Sequence, residues 1–391
     1  MTEVFLCAHR RTPIGRYAGS LAPVRPDDLA TRVIDGLLDL HDLPVDEVIF
    51  GCANQAGEDN RNVARMATLL SRLGPKVPAL TVNRLCASGL DAVITAARTI
   101  RDGAADVIIA GGVESMSRAP FVMPKSETPF ARTPEIFDTT IGWRFIHPRM
   151  AQLWGTESMP ETAENLAADH VISREDQDRY ALLSQSRYDA EWHAPDILPV
   201  IISSRKGDTI VSTDEHPRPT SLEKLAALPA PFRKPGTVTA GNASGVNDGA
   251  AAVILASTEA VRKHRLTPLA RIGAAASGGV EPRIMGLGPV EAASRLTART
   301  GRAAQDHDVI ELNEAFAAQV LACTRAWGMA DDDPRLNAHG GAIAMGHPLG
   351  MSGARLAGTA ARRLAETGGK SALVTLCVGV GQGVALELLP A

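Results

Sequence analysis

The stretch Asn83-Arg84-Leu85-Cys86-Ala87-Ser88-Gly89-Leu90 places a cysteine on a short turn just before a segment of periodic apolar residues. Residues 77–82, which precede it, are typical of a short buried strand. After it, apolar residues recur at steps of three and four, which predicts an amphipathic helix with Ser88 as its N-cap. A thiol at a helix N-terminus is expected to have a lowered pKa and to supply more thiolate. Cys86 is therefore a candidate nucleophile, although most free cysteines are simply small buried residues.

Strands and helices alternate on both sides of this turn. Strands are predicted at residues 3–9, 48–52 and 106–112, and helices from Asp27 or Asp28 to Leu38 and at residues 62–73. Such alternation favours a mostly parallel sheet that is covered by helices on both faces.

The last third of the chain repeats the plan of the first third. A helix predicted at residues 353–361 is followed by Gly368-Gly369 and by a strand at residues 371–377, and the segment after Gly89 has the same order. This internal repeat predicts two similar halves that face each other. Ligand sites are then expected at the loops between the halves.

Residues 117–244 interrupt this plan. Prolines cluster there, and one long helix is predicted from Arg174 to Trp192. A stretch of this length is too long for a simple loop, so we interpret it as an inserted lobe. The predicted division is an N-terminal half of residues 1–116 plus 245–268, an inserted loop domain of residues 117–244, and a C-terminal half of residues 269–391.

Composition narrows the classes of function. The 391 residues are 45% apolar and 21% charged, with a net charge of −4 and 4% aromatics, which does not favour a nucleic-acid surface. The five cysteines are an odd number without a C-x-x-C pair, so reduced thiols in a cytosol-like compartment are expected rather than disulfides. No basic region precedes an apolar run at the N-terminus, and apolar runs stay shorter than about eighteen residues, so neither a signal peptide nor a membrane span is predicted.

Three further segments carry side chains suited to acyl chemistry. They place Asn313 at the end of a predicted strand, His347 in the glycine-rich loop 337–350, and Cys377 at a strand end before the glycine run 379–383. Each residue also has a simpler interpretation, as a helix cap, a structural histidine and an inert core thiol respectively. The glycine run does not predict a dinucleotide loop, because only eight residues follow it and a phosphate-binding helix needs more.

Together these segments resemble the thiolase family over essentially the whole chain. The motifs that carry the resemblance are N-R-L-C-A-S-G at 83–89, G-G-V-E-S-M-S at 111–117, T-V-T-A-G-N-A-S at 237–244, N-E-A-F-A at 313–317, N-x-x-G-G-A-I-A-x-G-H-P-x-G at 337–350 and C-x-G-x-G-x-G at 377–383. The resemblance implies an α/β fold in which two similar βαβαβαββ halves form a five-layer αβαβα sandwich with an inserted loop domain.

The resemblance also implies an acyltransferase that cleaves a 3-oxoacyl-CoA with a second CoA by ping-pong kinetics. In that scheme Cys86 takes the acyl group and His347 draws its proton. Asn313 holds a water that completes an oxyanion hole with His347. Cys377 exchanges a proton with the enolate, and the backbone N–H groups of Cys86 and Gly379 form a second oxyanion hole.

CoA enters as a substrate, and the resemblance implies neither a permanently bound cofactor nor a metal. Residues expected around its nucleotide and pantetheine are Arg218, Leu228, Phe232, Ala240 and Ser244, and those expected along the channel to the thioester are Met159, Ala315 and Phe316. Two positions depart from the usual pattern. Ser158 stands where biosynthetic thiolases usually have histidine, and Val380 stands where the C-terminal motif usually has glycine.

Residues 51–62 and 138–145 are similar to the branch of thiolases that acts on 3-oxoadipyl-CoA in aromatic catabolism. That substrate ends in a carboxylate, for which Arg144 is the expected cation, with Arg149 and His147 as alternatives. Three other functions stay open at this point: an acetoacetyl-CoA or broad-range 3-oxoacyl-CoA thiolase, a non-catalytic thiolase-like lipid carrier, and a Cys-His hydrolase. The resemblance implies a homodimer or homotetramer in the cytoplasm, with residues 117–150 as a contact.

Overall fold

Helices and strands alternate along most of the computed structural model, which describes residues 2–391. The strands are β1 (Val4–Arg11), β2 (Gly15–Arg16), β3 (Glu47–Gly51), β4 (Ala79–Val82), β5 (Val107–Ser115), β6 (Phe121–Val122), β7 (Phe137–Asp138), β8 (Val200–Ser204), β9 (Gly207–Val211), β10 (Asn247–Ser257), β11 (Ala270–Gly279), β12 (Val309–Leu312), β13 (Ala372–Val378) and β14 (Gln382–Leu389). The helices are α1 (Pro26–Leu38), α2 (Val63–Leu70), α3 (Ser88–Arg101), α4 (Pro148–Trp154), α5 (Met159–Asp169), α6 (Arg174–Arg187), α7 (Ala190–His193), α8 (Leu222–Ala226), α9 (Thr258–His264), α10 (Gly288–Thr300), α11 (Ala317–Ala326), α12 (Ala342–Met345) and α13 (Leu349–Thr367). Within the described residues, none of these helices combines the length and the apolarity needed to cross a membrane.

Ten strands form one mixed sheet, and its two ends have the same topology. In the N-terminal half the strand order is β4-β3-β5-β10-β1. In the C-terminal half it is β12-β13-β14-β11, and Leu336 forms a parallel bridge to Ile310 of β12 at the place of a third strand. When strands are numbered within each half, both halves therefore have the order 3-2-4-5-1, which agrees with the predicted internal repeat.

Strand direction differs from the mostly parallel arrangement that the sequence predicts. β3 pairs in parallel with β4 and β5, and β12 pairs in parallel with β13, because helices return the chain between these strands. β10, β11 and β14 run antiparallel to their neighbours. The two halves are joined at β1 and β11 by the antiparallel pairs Phe5–Arg271 and Leu6–Ala270.

α3 and α13 form the middle layer, between the two halves of the sheet. Their apolar side chains pack in one buried cluster with residues from both halves, such as Val253 of β10 and Val374 of β13. α1 and α2 cover the outer face of the N-terminal half, and α10 and α11 cover that of the C-terminal half. The layers run helix, sheet, helix, sheet, helix, which is the five-layer sandwich implied by the sequence.

Glycines allow the two central helices to touch near their N-termini. A Cβ added to Gly89 of α3 would lie 2.4 Å from the carbonyl oxygen of Gly350 in α13, and one added to Gly353 would lie 2.1 Å from the backbone nitrogen of Leu90. Any larger residue at these two contacts would push the helices apart. The close approach places the turn that bears Cys86 beside the first turn of α13.

The inserted lobe contains more helix than the sequence predicts. It holds α4 to α8 and two small hairpins, β6–β7 and β8–β9. The long helix expected from Arg174 to Trp192 ends at Arg187, and α7 follows after a break. The start of α5 has a sequence signal, Ser158 followed three residues later by Glu161, which the surrounding prolines obscure. In the structure Glu161 accepts a hydrogen bond from the backbone N–H of Ser158 at 2.9 Å.

A buried ion pair holds the lobe against β1. Both terminal nitrogens of Arg11 donate to the Asp214 carboxylate, at 2.6 and 2.8 Å, and Tyr188 Oη donates to the same carboxylate at 2.9 Å. Burial alone would raise the pKa of Asp214, but the Arg11 charge and its hydrogen bonds hold that pKa below the ordinary value. The lobe is thus attached to the core by a charged contact that excludes water.

Candidate active site

Cys86 lies on a single 3-10 turn directly before α3. Asn83 Oδ1 accepts from the Leu85 N–H at 2.8 Å. Ser88 Oγ accepts from the Arg84 N–H at 2.9 Å and donates to the Leu85 carbonyl at 2.6 Å. Ser88 therefore closes the turn and makes no side-chain cap on α3, contrary to the sequence prediction. These bonds hold Leu85 at a φ of +46°, a strained conformation for leucine.

A cavity of about 380 Å³ opens beside the Cys86 thiol. The core contributes walls that include Cys86, Glu114 and Gly379. The lobe contributes residues 139–144 and Met159. The cavity therefore lies between the core and the lobe, where an acyl chain can reach the sulfur.

The Cys86 thiol is less acidic than its position before a helix predicts. Burial raises its pKa to about 11, and this effect outweighs the backbone N–H groups of Gly379 and of Cys86 itself, which donate toward the sulfur. The expected lowering of the pKa is therefore wrong, because desolvation dominates over the helix N-terminus. A base must take the thiol proton before the sulfur can attack at neutral pH.

His347 lies between α12 and α13, and its ring is held in one orientation. Its backbone N–H donates to Asn247 Oδ1 at 2.9 Å. Its Nδ1 lies 2.6 Å from Ser352 Oγ, which itself donates to the Pro348 carbonyl at 2.8 Å. Because that bond uses the hydroxyl proton, we assign the ring proton to Nδ1, which leaves Nε2 as the acceptor. Burial lowers the pKa of His347 to about 3, so the ring is uncharged at neutral pH.

Asn313 follows β12 directly and contacts the other ring nitrogen. Its Nδ2 lies 3.3 Å from His347 Nε2. Its Oδ1 is buried and has no hydrogen-bond partner among the described residues. An unpaired buried amide oxygen destabilises the fold, which is characteristic of a group that serves a ligand.

Glu314, the next residue, connects this junction to the lobe. Its buried carboxylate accepts four hydrogen bonds, two from α6 and two from the loop 337–350. The donors are Tyr180 Oη at 2.8 Å, Ser184 Oγ at 2.6 Å, Asn337 Nδ2 at 2.9 Å and the Ile343 N–H at 3.0 Å. Glu314 therefore holds the loop that carries His347 in place beside Asn313.

Cys377 lies in β13 and belongs to a small apolar cluster with Ala315 and Phe316, against which Met159 packs. Burial raises the pKa of the Cys377 thiol well above its ordinary value, and the nearby Cys86 raises it further. Cys377 is thus a protonated thiol within electrostatic reach of Cys86. Met159 also lines the cavity beside Cys86. The apolar cluster of Cys377 and the cavity of Cys86 therefore share this residue.

The four predicted catalytic side chains form two pairs. Asn313 and His347 are in direct contact, and the Cys86 thiol raises the pKa of the Cys377 thiol. Among the described residues, the ring nitrogens of His347 contact Asn313 and Ser352, and no hydrogen bond joins them to Cys86. The contact of α3 with α13 brings the turn that bears Cys86 beside the end of the loop that carries His347.

Comparison with known proteins identifies the family of this chain. Residues 4–259 match the family described as the thiolase N-terminal domain, and residues 266–389 match the thiolase C-terminal domain. The chain belongs to the thiolase family. It is 58% identical to the beta-ketoadipyl-CoA thiolase of Pseudomonas putida, over 99% of both chains. It is also 58% identical to the 3-oxoadipyl-CoA/3-oxo-5,6-dehydrosuberyl-CoA thiolase of Escherichia coli strain K12, again over 99% of both.

A solved thiolase has the same overall structure. The crystal structure of human mitochondrial 3-ketoacyl-CoA thiolase in complex with CoA matches with a TM-score of 0.90 and 40% identity, covering 100% of this chain and 98% of that one. The thiolase fold and the acyltransferase class expected from the sequence are thereby confirmed.

Three of the lobe residues expected around CoA form backbone contacts. Arg218 Nη2 donates to the Ala240 carbonyl at 3.1 Å. The Ser244 N–H donates to the carbonyl of Ala315, a member of the Cys377 cluster, at 2.9 Å. A path of contacts therefore leads from the second of these pairs toward the cavity.

Leu228 and Phe232 lie further along the lobe. Leu228 is half-buried against the outer helices of the C-terminal half. The Phe232 side chain is 42% exposed, so its ring is available for stacking against a planar group. Both stay predictions as CoA contacts.

Arg144 lines the cavity of the thiolase, whereas the two alternatives do not. Arg144 Nη2 lies 3.2 Å from Asn54 Oδ1 and 3.4 Å from the Asn54 carbonyl oxygen. Within the part of the chain that the structure describes, Arg144 forms no ion pair. His147 and Arg149 are exposed on α4 or just before it, where His147 Nδ1 accepts from the Arg149 N–H.

Glu114 is a cavity residue to which the sequence analysis assigned no role. Its carboxylate accepts backbone hydrogen bonds at 2.8 to 3.0 Å from Ala53, Asn54 and Gly350. Burial raises its pKa to about 7 in spite of these bonds. The motif at residues 111–117 is visible in the sequence. The sequence of a strand, however, does not show that the Glu114 carboxylate lies in a cavity.

Glu114, Cys52 and Asp59 form a buried group whose ligand atoms are close enough for a metal, and no other such group occurs within residues 2–391. Both carboxylates are already used by backbone N–H donors, those on Asp59 coming from Gln55 and Gly57. The Cys52 thiol, whose pKa is raised by burial, lies 3.6 Å from Asp59 Oδ2. This group is therefore interpreted as a hydrogen-bonded network that supports the cavity wall at Glu114.

Acidification should destabilise this thiolase, because burial lowers the pKa of several histidines. The values fall to about 3 or 4 at His9, His193, His216, His307 and His347. The unfolded chain, with ordinary values near 6.5, binds more protons than the folded chain between those limits. The contribution of these histidines to the free energy of unfolding is thus fully present above pH ~6.5 and is lost as the pH falls toward 4. Each histidine accounts for a loss of up to about 1.4 kcal/mol per pH unit.

Urea unfolding at pH 7 and pH 5 would measure this effect. Four carboxyl groups, Asp28, Glu114, Asp248 and Glu311, act in the opposite direction because their folded pKa values are raised, and they offset part of the effect of the histidines. His307→Gln, far from the cavity, should reduce the pH dependence. Equal or greater stability at pH 5 would contradict the prediction.

Proposed function

We propose that this thiolase cleaves 3-oxoadipyl-CoA with free CoA to give succinyl-CoA and acetyl-CoA. The observation that carries the proposal is a cation without an ion-pair partner, Arg144, in the cavity beside the Cys86 thiol. A carboxylate at the end of the acyl chain would supply that partner. Relatives named for this substrate, at 58% identity, support the same choice.

In the first half-reaction, His347 takes the Cys86 proton at Nε2 and the sulfur attacks the 3-carbonyl carbon. Backbone N–H groups of Cys86 and Gly379 stabilise the resulting oxyanion. As it collapses, the bond between carbons 2 and 3 breaks and the succinyl group stays on Cys86 as a thioester. The acetyl-CoA enolate, its oxygen stabilised by His347 and Asn313, takes a proton from Cys377.

In the second half-reaction, the Cys377 thiolate takes the proton of the incoming CoA, whose sulfur attacks the thioester. Cys86 leaves and recovers its proton from His347, and succinyl-CoA departs. The protein ends with the protons it began with. The shared acyl-enzyme predicts ping-pong kinetics. Because the pKa of both thiols is raised, each thiol needs a specific group to accept its proton, and the scheme provides one for each.

CoA is proposed to lie along the lobe as a substrate. Arg218 and Phe232 would contact the nucleotide, one by charge and the other by stacking. Ser244 and Ala315, which are hydrogen-bonded to each other, would line the path of the pantetheine with Met159 at its end. The other residues expected along CoA, Leu228 and Ala240 of the lobe and Phe316 of the C-terminal half, would complete that path.

A substrate panel tests the proposed function. We expect a higher kcat/KM with 3-oxoadipyl-CoA than with acetoacetyl-CoA, each measured with saturating CoA. Mass spectrometry of Cys86 after exposure to acyl-CoA should show an adduct that is discharged on addition of CoA. Discharge by water alone would indicate a hydrolase instead, and the absence of any adduct would indicate a carrier.

Replacing Arg144 by alanine should change selectivity more than overall activity. We expect kcat/KM for 3-oxoadipyl-CoA to fall about 10- to 100-fold relative to acetoacetyl-CoA, which is the value of a charged hydrogen bond. Arg149→Ala, outside the cavity, is the matched control and should leave the ratio unchanged. An unchanged ratio in Arg144→Ala would reject Arg144 as the carboxylate partner.

The assembly is proposed to be a homodimer or a homotetramer, acting in the cytoplasm. β4 is an edge strand with β3 as its partner, and Leu80 on it is 40% exposed, beside the exposed Leu69 and Leu70 of α2. An exposed edge strand with apolar neighbours favours pairing with a second copy. In residues 117–150, Phe130 is 98% exposed, which supports a further contact between dimers; sedimentation analysis would measure the assembly.

A further inference from the structure

A second cavity, of about 180 Å³, lies at the seam between the two halves of the sandwich. Its walls come from the last turns of α3 and α10 and from β11, with Leu386 of β14 behind them. It is separate from the cavity beside Cys86, and none of the proposed catalytic or CoA-binding residues lines it.

Three arginines line this seam cavity, and no acidic side chain does. They are Arg98 and Arg101 of α3 and Arg299 of α10. Arg101 Nη2 donates to the carbonyls of Ile272 and Gly273, at 2.6 and 2.8 Å. Arg299 Nη1 donates to the Ala275 carbonyl at 2.6 Å. Within residues 2–391, Arg98 has neither a hydrogen bond nor an ion pair from its side chain.

Most N–H donors of these arginines therefore have no protein partner, and the side chains of Arg98 and Arg299 are exposed to solvent. A guanidinium has five N–H donors, and Arg101 and Arg299 each engage a single nitrogen, always with neutral carbonyls. Their charges also oppose one another, since burial and the neighbouring charges of Arg271 and Arg98 lower the pKa of Arg101.

Two acidic groups near the cavity are engaged elsewhere, and Asp102, which follows Arg101 at the end of α3, is exposed. Glu3 lies 3.5 Å from Arg271, a residue outside the cavity wall. Glu387, which approaches Gly273, is paired with Arg302 on its other side. The cavity thus concentrates positive charge in a protein whose net charge is −4.

We propose that the seam cavity binds a small oxyanion with at least two negative charges, such as phosphate or a tricarboxylate. A planar guanidinium matches the oxygens of such ions in pairs. An ion bound there would contact α3, the helix that follows the Cys86 turn, and the first strand of the other half at the same time. It would thereby relieve repulsion among the arginines and strengthen the contact between the halves.

Titration with inorganic phosphate tests the proposal. Calorimetry at constant ionic strength, balanced with sodium chloride, should show binding to the full chain, and phosphate should raise the midpoint of thermal unfolding more than chloride does. The double variant Arg98→Gln/Arg299→Gln should weaken that binding at least about tenfold, since it removes two charged pairs. Arg295→Gln is the matched control, because Arg295 lies on α10 but bonds to Glu291 and Ser277.

Citrate in a parallel titration separates a tricarboxylate from a phosphate as the preferred ion, and preference for either one supports the site. Because phosphate can also occupy the proposed nucleotide site, the titrations are repeated in the Arg218→Gln background. Phosphate and citrate affinities that do not change in Arg98→Gln/Arg299→Gln, or no binding beyond the effect of chloride, would overturn the proposal. Turnover plays no part in this test, so it stands or fails independently of the proposed reaction.

Discussion

Replacing Cys86 by alanine should lower thiolysis by at least about 10³-fold, because no other thiol in the cavity can carry the acyl group. Cys377, the nearest other thiol, is buried in β13 within its own apolar cluster. The loss should appear in kcat with either 3-oxoacyl-CoA substrate, and the mass of the protein should no longer increase after exposure to acyl-CoA.

Cys7→Ala provides the control for this experiment. Cys7 is also buried, and burial raises its pKa to about 12, but it lies in β1 and does not line the cavity. The Cys7 variant should keep the adduct and the rate. A Cys86→Ala protein that still forms an acyl adduct elsewhere, with turnover intact, would remove the basis of the mechanism.

Replacing His347 by alanine should lower kcat/KM by about 10²- to 10⁴-fold, the usual contribution of a general base. The Cys86 thiol, with a pKa near 11, depends on a base at neutral pH. Without one, the rate of acylation should rise with pH up to the thiol pKa, about tenfold per unit. Rapid quenching of the acyl-enzyme across pH 7 to 10 would measure this.

Ser352→Ala separates orientation from proton transfer at His347. It removes the contact at Nδ1 but leaves the ring in place, so its effect should be smaller and its pH profile should stay close to that of the wild type. A His347→Ala protein whose acylation rate is independent of pH would contradict the assignment of His347 as the base.

Local sequence patterns account for much of the fold. The periodic segment after Cys86 is indeed a helix, and the internal repeat corresponds to two halves of equal strand order. Strand direction could not be read in the same way, because antiparallel pairing of β10 with β1 and β5 depends on where the chain returns after the lobe.

The site is less predictable, since its properties come from burial and from distant contacts. The raised pKa of Cys86 reflects desolvation by residues from both halves, which a nearby helix N-terminus does not reveal. Ser352 is an ordinary helix residue by sequence, and only its position below the His347 ring shows its function. Glu314 lies inside a recognised motif, but its four partners come from two other segments.

Val380 was recognised as a departure from the usual glycine, and its backbone has a φ of +63°, a costly conformation for a β-branched residue. It lines the cavity next to Gly379. The strain therefore falls on a residue that lines the cavity rather than on a distant turn.

The walls of the Cys86 cavity come from two separately built parts of the chain, and this division has an evolutionary consequence. In the proposed mechanism the bond-breaking groups belong to the layered core, whereas residues 139–144, which line the cavity, belong to the lobe. Mutations in that short segment can alter the preferred acyl chain while the inherited chemistry is left untouched. Divergence of substrate range among duplicated genes would need few changes, all in one short stretch.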